Sequence, residues 1–223
     1  MRIVAVADTH TFEDDLGEIP AGDVFVHAGD MTRGGTPEEL SAAAAWIAGL
    51  PHRHQIIVAG NHDWGFAKDR KRSVELFAEC HYLEDSAIVI DGVKFWGSPW
   101  QPEFHSWAFN LPRGPALAEK WDLIAADTDV LVTHGPPAGY GDNIDFNRAS
   151  RSGCVDLLAA VRRIKPRLHM YGHIHQDGGM WREDLVVFAN VTTWECERAP
   201  SVFDVDPQTK EVVAVSIPPA RNR

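Results

Sequence analysis

Leu168-His169-Met170-Tyr171-Gly172-His173-Ile174-His175 runs from a largely apolar stretch straight into two closely spaced histidines. The same layout occurs four more times, as Val6-Ala7-Asp8-Thr9-His10, Val26-His27-Ala28-Gly29-Asp30, Val58-Ala59-Gly60-Asn61-His62-Asp63 and Val132-Thr133-His134-Gly135. Each apolar run has the length of a buried strand, about four to six residues. Each polar group follows the C-terminal end of its strand, where open α/β sheets build their sites. Aspartate, asparagine and histidine make a nitrogen and oxygen ligand set that suits Mn, Fe, Zn, Co or Ni. The donors outnumber what one metal takes, so a two-metal hydrolase is the first expectation.

The segments between these runs give the architecture. Thr36-Pro37-Glu38-Glu39 reads as an N-cap, a first-turn proline and a capping-box glutamate, opening a helix that Pro51 stops. Gln55–Ala59 is a strand and Phe66–Cys80 a second helix. Ile88–Ile90 and Val93–Trp96 form a hairpin across Asp91-Gly92. Gly97–Arg113 is a structured loop rich in Pro, Trp and Phe, followed by a helix over Gly114–Ala126 and a strand over Val130–Thr133. Gly135–Arg151 is a second loop, Val155–Ile164 a fourth helix and Leu168–Tyr171 a strand. The remainder is β: Met180–Trp181, Leu185–Asn190, Ser201–Val205 and Glu211–Ile217, the last two joined by a turn at Asp206–Lys210. Parallel strand–helix units followed by antiparallel strands predict an α/β fold in which two mixed β-sheets pack together and helices cover them. The 223 residues are read as one domain, with residues 218–223 as a loose tail.

Composition narrows the partners. A formal net charge of −11 makes the chain a poor general nucleic-acid binder, because phosphate-backbone affinity rests on Lys and Arg. Two divalent ions would nevertheless make the site locally positive. Cys80, Cys154 and Cys196 are widely spaced, form no CxxC pair and read as thiols of a reducing compartment. The chain opens directly into a strand and has no apolar run long enough to span a bilayer, so a cytoplasmic location without a membrane partner is expected.

Taken singly, the motifs differ in weight. Strand-end aspartates such as Asp8 and Asp30 are common, and Asn61-His62 could merely cap the next helix. Gly172-His173-Ile174-His175 is stronger, because alternate residues of an extended segment point the same way and let both imidazoles converge. In order, D-x-H, G-D, G-N-H-D, a lone H and G-H-x-H resemble the calcineurin-like metallophosphoesterase superfamily, with every block present from Asp8 to His175. The resemblance implies a four-layer fold of two β-sheets flanked by helices. It implies that Asp8, His10 and His175 hold one metal, that Asn61, His134 and His173 hold the other, and that Asp30 bridges them. It makes His62 a non-ligand general acid. Two cations roughly 3.5–4 Å apart would bind the phosphate and turn a bridging water into a hydroxide nucleophile. A histidine near its ordinary pKa suits protonation of the departing oxygen. Asp63 orients His62, binds nearby backbone or caps a helix.

Departures from other branches matter. Ser/Thr protein phosphatases read G-D-x-x-D-R-G, whereas Gly29-Asp30-Met31-Thr32-Arg33-Gly34 lacks the second Asp and shifts the Arg. Arg33 also stands where purple acid phosphatases place a metal-binding Tyr. Gly97-Ser98-Pro99-Trp100-Gln101-Pro102, Phe109-Asn110-Leu111-Pro112-Arg113-Gly114 and His134-Gly135-Pro136-Pro137 resemble the metallophosphoesterase-domain-containing (brain protein 239-like) branch, which is similar to class III cyclic-nucleotide phosphodiesterases. That resemblance implies hydrolysis of a small phosphodiester, cyclic nucleotides included. A phosphomonoesterase or nuclease on the same metals, and a scaffold without catalysis, are the alternatives. Trp64, Trp100, Phe104, Trp107 and Phe109 either stack a substrate base, fill core or make a subunit contact that would support a homodimer. Arg33 and Arg148 either touch phosphate or form surface ion pairs. His27, His52, His54, His81, His105 and His169 carry no ligand spacing.

Overall fold

The computed structural model describes residues 1–145 and 150–219. In chain order the elements are β1 (Arg2–Val6), β2 (Val24–His27), α1 (Pro37–Ala48), β3 (His54–Ile57), α2 (Trp64–Lys68), α3 (Arg70–Leu76), β4 (His81–Tyr82), β5 (Ser86–Ile90), β6 (Val93–Ser98), β7 (Gln101–Pro102) and β8 (Asn110–Leu111). Then come α4 (Pro115–Trp121), β9 (Val130–Thr133), α5 (Val155–Ile164), β10 (Leu168–Tyr171), β11 (Gly179–Glu183), β12 (Val186–Asn190), β13 (Ser201–Val205) and β14 (Val212–Ser216). Short 3-10 turns cover Glu13–Leu16 and His175–Asp177.

Two six-stranded mixed sheets result, in the orders β14-β13-β1-β2-β3-β4 and β11-β12-β10-β9-β6-β5. In the first, β1 to β4 are parallel and β13 and β14 antiparallel. In the second, β12, β10, β9 and β6 are parallel, with β11 and β5 as antiparallel edges. The strands read as continuous apolar runs because both faces are covered. Along β1, Ile3, Ala5 and Ala7 face the second sheet and join Val26, Val132 and Met170 in a shared core. Val4 and Val6 face outward, onto Leu40, Ala43 and Ile47 of α1. On the other side Leu131, Tyr171 and Phe188 meet Leu117, Trp121, Leu157 and Val161 of α4 and α5. This is the expected helix–sheet–sheet–helix sandwich.

Local signals account for most boundaries. Thr36 accepts the Glu39 amide at 3.2 Å and the Glu39 carboxylate accepts the Thr36 amide at 3.1 Å, the capping box that starts α1. Asp91 and Gly92 both take positive φ, 46° and 81°, as a two-residue hairpin requires. Three expectations change. The helix over Phe66–Cys80 is two helices, broken at Asp69, whose carboxylate accepts the Arg72 amide at 3.1 Å and so begins a new helix. The helix from Gly114 ends at Trp121, where i→i+3 bonds such as Leu123 to Lys120 replace the α pattern. The loop over Gly97–Arg113 contains the parallel pair β7 and β8. Among the described residues no helix is long and apolar enough to cross a membrane.

Candidate metal centre

The parallel strands of both sheets end at one edge of the sandwich, and the polar residues sit just past those ends. β1 leads to Asp8 and His10, β2 to Asp30, β3 to Asn61 and His62, β9 to His134, and β10 to His173 and His175. The chain turns sharply there. Asp8, His10, Asp30 and His173 have φ of 58°, 48°, 57° and 70°, a left-handed backbone that side chains other than glycine adopt at a cost. The glycine before Asp30 is a packing requirement as well as a turn: a Cβ on Gly29 would run into the His134 ring.

Three groups of donor atoms lie within 4.8 Å of one another: Asp8, His10 and His175; His10, Asp30 and His62; and Asp30, His134 and His173. Asn61 Oδ1 lies 2.9 Å from His134 Nε2. Every residue anticipated for the centre is therefore brought to it. The two histidines of the last motif reach it by a different route from the one expected. His173 is left-handed and His175 begins a 3-10 turn, so the two imidazoles do not align as alternate residues of a strand. They diverge, His175 towards Asp8 and His10 and His173 towards Asp30 and His134.

The donor set fits cations. His10 Nδ1 donates to the Thr32 carbonyl at 3.2 Å and His134 Nδ1 to the Ala28 carbonyl at 3.0 Å. A carbonyl only accepts, so each neutral ring carries its proton on Nδ1 and turns a lone pair on Nε2 inward. His10 Nε2 then faces His175 Nε2 at 3.3 Å, and His134 Nε2 faces Asn61 Oδ1 at 2.9 Å and Asp30 Oδ2 at 3.3 Å. Acceptors at such separations need positive charge between them. His173 Nδ1 is buried with no hydrogen-bond partner among the described residues.

The electrostatics agree. Burial opposes charge on Asp30, but His134, His10 and His62 outweigh it and hold the carboxyl far below the usual carboxylate range. Burial likewise opposes charge on Asp8, which His175 and His134 hold low. Burial lowers His134, yet Asp30 and Asp8 overcome it and raise its pKa to about 9. The proton so retained sits where a cation would, and metal binding would release it. Burial, reinforced by His134, depresses His173 to about 3, leaving a neutral imidazole.

Asp63 has a defined task. Its Oδ2 accepts the amides of Asp30, Met31 and Gly60 at 2.9, 3.3 and 2.8 Å, and its Oδ1 accepts the Thr32 amide and hydroxyl at 2.9 and 2.8 Å. It binds the backbone of two ligand loops; it makes no cap to α2. The His62 ring is held elsewhere. Its Nδ1 meets the Arg33 carbonyl at 2.7 Å and its amide donates to Asp30 Oδ1 at 2.8 Å. The residue that replaces the second Asp of the protein-phosphatase motif thus holds this ring through its main chain.

The aromatic loop divides. Trp107 covers His62 at 4.2 Å between ring centroids, and Phe104 sets its ring edgewise to His173 at 4.9 Å. Phe109 is buried, Trp100 Nε1 bonds to Asp85 at 2.9 Å, and Trp64 carries the Lys68 ammonium. The Arg33 guanidinium lies over Phe12 at 4.3 Å and takes no ion pair among the described residues. Arg148 lies outside the described residues. Sequence reading missed the loop after β12: Thr193 donates to the Ala7 carbonyl at 2.8 Å and the Glu195 amide to the Asp8 carbonyl at 2.9 Å. Thr192-Thr193-Trp194 carries no spacing that would reveal this brace.

A four-layer sandwich with histidine and carboxylate clusters at its shared strand ends is the architecture of the metallophosphoesterases. Residues 1–177 match the model of the calcineurin-like phosphoesterases, and the chain belongs to that family. It is 38% identical, over 99% of its length, to metallophosphoesterase domain-containing protein 1 of Homo sapiens, of which it covers 72%. It is 33% identical over 95% of its length to UPF0046 protein T07D4.2 of Caenorhabditis elegans, covering 62% of that protein. Among solved structures, TT1561 of Thermus thermophilus matches with a TM-score of 0.64 at 14% identity, over 96% of this chain and 97% of that one. A novel archaeal phosphodiesterase matches with a TM-score of 0.51 at 15% identity, over 96% and 99%. At these identities both structures speak for the fold.

Proposed function

We propose that the chain is a dinuclear metal-dependent phosphodiesterase acting on small diesters, cyclic nucleotides among them. Asp8, His10 and His175 would hold one cation, Asn61, His134 and His173 the other, and Asp30 would serve both. The observation that carries this is the membership of Asp30 in two donor clusters, in each of which one imidazole, His10 or His134, has its lone pair turned inward by a carbonyl. When bound, two divalent ions supply Lewis acidity to the phosphoryl oxygens and make water a competent nucleophile at neutral pH.

The chain's own residues do the rest. Asp63 locks the loops that carry Asp30 and Asn61, so the donors are preorganised. The Arg33 carbonyl fixes the His62 proton on Nδ1 in the neutral ring and points Nε2 away from it. The imidazolium of His62 can then give its Nε2 proton to the departing ester oxygen, while Trp107 limits ring rotation. The net charge of −11 speaks against a nuclease that tracks a nucleic-acid backbone.

The test is hydrolysis of bis(p-nitrophenyl) phosphate and p-nitrophenyl phosphate in parallel, after chelation and again after adding Mn²⁺. Turnover restored by metal and faster on the diester is expected. Preference for the monoester would make the protein a phosphatase, and inactivity on both with or without metal would leave a very selective enzyme or a binding scaffold.

A further inference from the structure

A cleft of about 360 Å³ opens beside His173, walled by Phe104, Pro136, Ile144 and Arg113. It has the size of a small-ligand site. A larger groove of about 450 Å³ lies near the start of β12, away from the ligand loops, and nothing in the structure shows what covers it. The cleft differs because one wall is a member of the candidate metal centre.

We propose that this cleft receives the ester group that stays on phosphorus, and that it selects phosphodiesters whose retained group is flat and apolar. This rests on the phosphodiesterase function proposed above. His173 clusters with Asp30 and His134, whereas His62 clusters with Asp30 and His10, so the two histidines belong to separate donor groups that share Asp30. His62 and Trp107 do not line the cleft. The ester oxygen protonated by His62 therefore leaves away from it, and the second ester oxygen of a diester is directed towards it. A phosphomonoester has no retained group and would leave the cleft unused.

The walls define the chemistry. The Phe104 ring, fixed against His173, and the side chains of Pro136 and Ile144 offer apolar faces. The Arg113 guanidinium is held by the carbonyls of Gly153 and Ser152 at 2.8 and 2.7 Å, and Arg113 also lines the cleft. Glu103 also lines the cleft and disfavours a second anionic group. Removing a flat apolar group from water here strengthens binding in proportion to the area covered.

The experiment compares 4-nitrophenyl phenyl phosphate with methyl 4-nitrophenyl phosphate in the Mn²⁺-loaded protein. Both release 4-nitrophenolate, so only the retained group differs. A kcat/KM at least about tenfold higher for the phenyl ester is expected. Phe104→Ala should lower that ratio at least about fivefold, mainly through the KM of the phenyl ester. Ile144→Ala, at a side chain 47% exposed and safe for folding, should lower it about twofold to threefold. Turnover of both esters with a ratio that neither variant moves, or no preference in the parent, would overturn the subsite alone. Hydrolysis of p-nitrophenyl phosphate but of neither diester would overturn the phosphodiesterase function and the subsite together.

Discussion

The two sheets furnish the site differently. The loops after β1, β2 and β3 contribute both carboxylates, Asp8 and Asp30, together with His10, Asn61 and His62. The loops after β9 and β10 contribute imidazoles only, His134, His173 and His175. The braces differ accordingly. Anionic loops converge in left-handed conformations, and Asp63 accepts five hydrogen bonds from their backbone and the Thr32 hydroxyl to hold them. The second sheet uses a neutral pair, Thr133 and His169, 2.9 Å apart and directly before His134. One half thus carries the carboxylates that would attract cations, and the other carries the imidazoles that would complete their coordination. Losing a carboxylate should cost the site its metal, whereas changes in the Thr133–His169 brace of the second half should act through stability and positioning.

The largest effect should follow Asp30→Ala, which removes the one carboxylate common to two clusters. Activity should fall by more than the ~10⁴-fold ceiling of a single general acid, and elemental analysis should find at least one ion missing. His62→Ala comes next. It should lower kcat by about 10²–10⁴-fold while leaving the metal content of the parent. Full activity in that variant would refute the acid role.

Asp63→Asn sharpens the contrast in braces. An amide NH₂ would meet backbone N–H donors that now find a carboxylate oxygen, in a site with no exposure to water. The expected loss is about 3 kcal/mol, or about 6–12 °C in Tm at roughly 2–4 °C per kcal/mol. Calorimetry on the metal-free protein checks it, and an unchanged Tm would mean the brace is idle.

The neutral pair of the second sheet should show a smaller, pH-dependent effect. Burial depresses His169 to about 3 from its ordinary 6.5. Below pH 6.5 the unfolded chain then binds a proton that the folded one refuses, so stability is full above pH 6.5 and declines as pH falls towards 3. From pH 7 to pH 5 this single group should contribute about 2 kcal/mol of loss. His169→Gln should flatten that portion of a urea-denaturation series in chelator, and an identical slope would exclude His169 as its source.

Much of this was legible in the chain. The strand-then-ligand rhythm from Asp8 to His175 announces both sheets and every donor, because buried parallel strands are continuous apolar runs and their loops point to one edge. Thr36 to Glu39 announces a helix start for the same local reason. What the sequence could not convey depends on distant backbone. Nothing near Asp63 reveals that its acceptors serve Asp30, Met31 and Thr32, about 30 residues away, rather than the helix that follows it. Phe66–Cys80 looks like one helix because its apolar residues continue past Asp69, and the break comes from Asp69 capping the Arg72 amide. The aromatic loop has one composition and two fates. Trp107 and Phe104 cover the site while Phe109 enters the core, a distinction set by tertiary packing.

The central claim is that donors from both sheets hold two cations across Asp30. Its most direct measurement is the metal content per chain of Mn²⁺-reconstituted parent and Asp30→Ala protein, read beside hydrolysis of bis(p-nitrophenyl) phosphate. Two ions per chain in the parent, with one or none and no turnover in the variant, is the predicted result. One ion in an active parent, or two ions retained by Asp30→Ala, would contradict it.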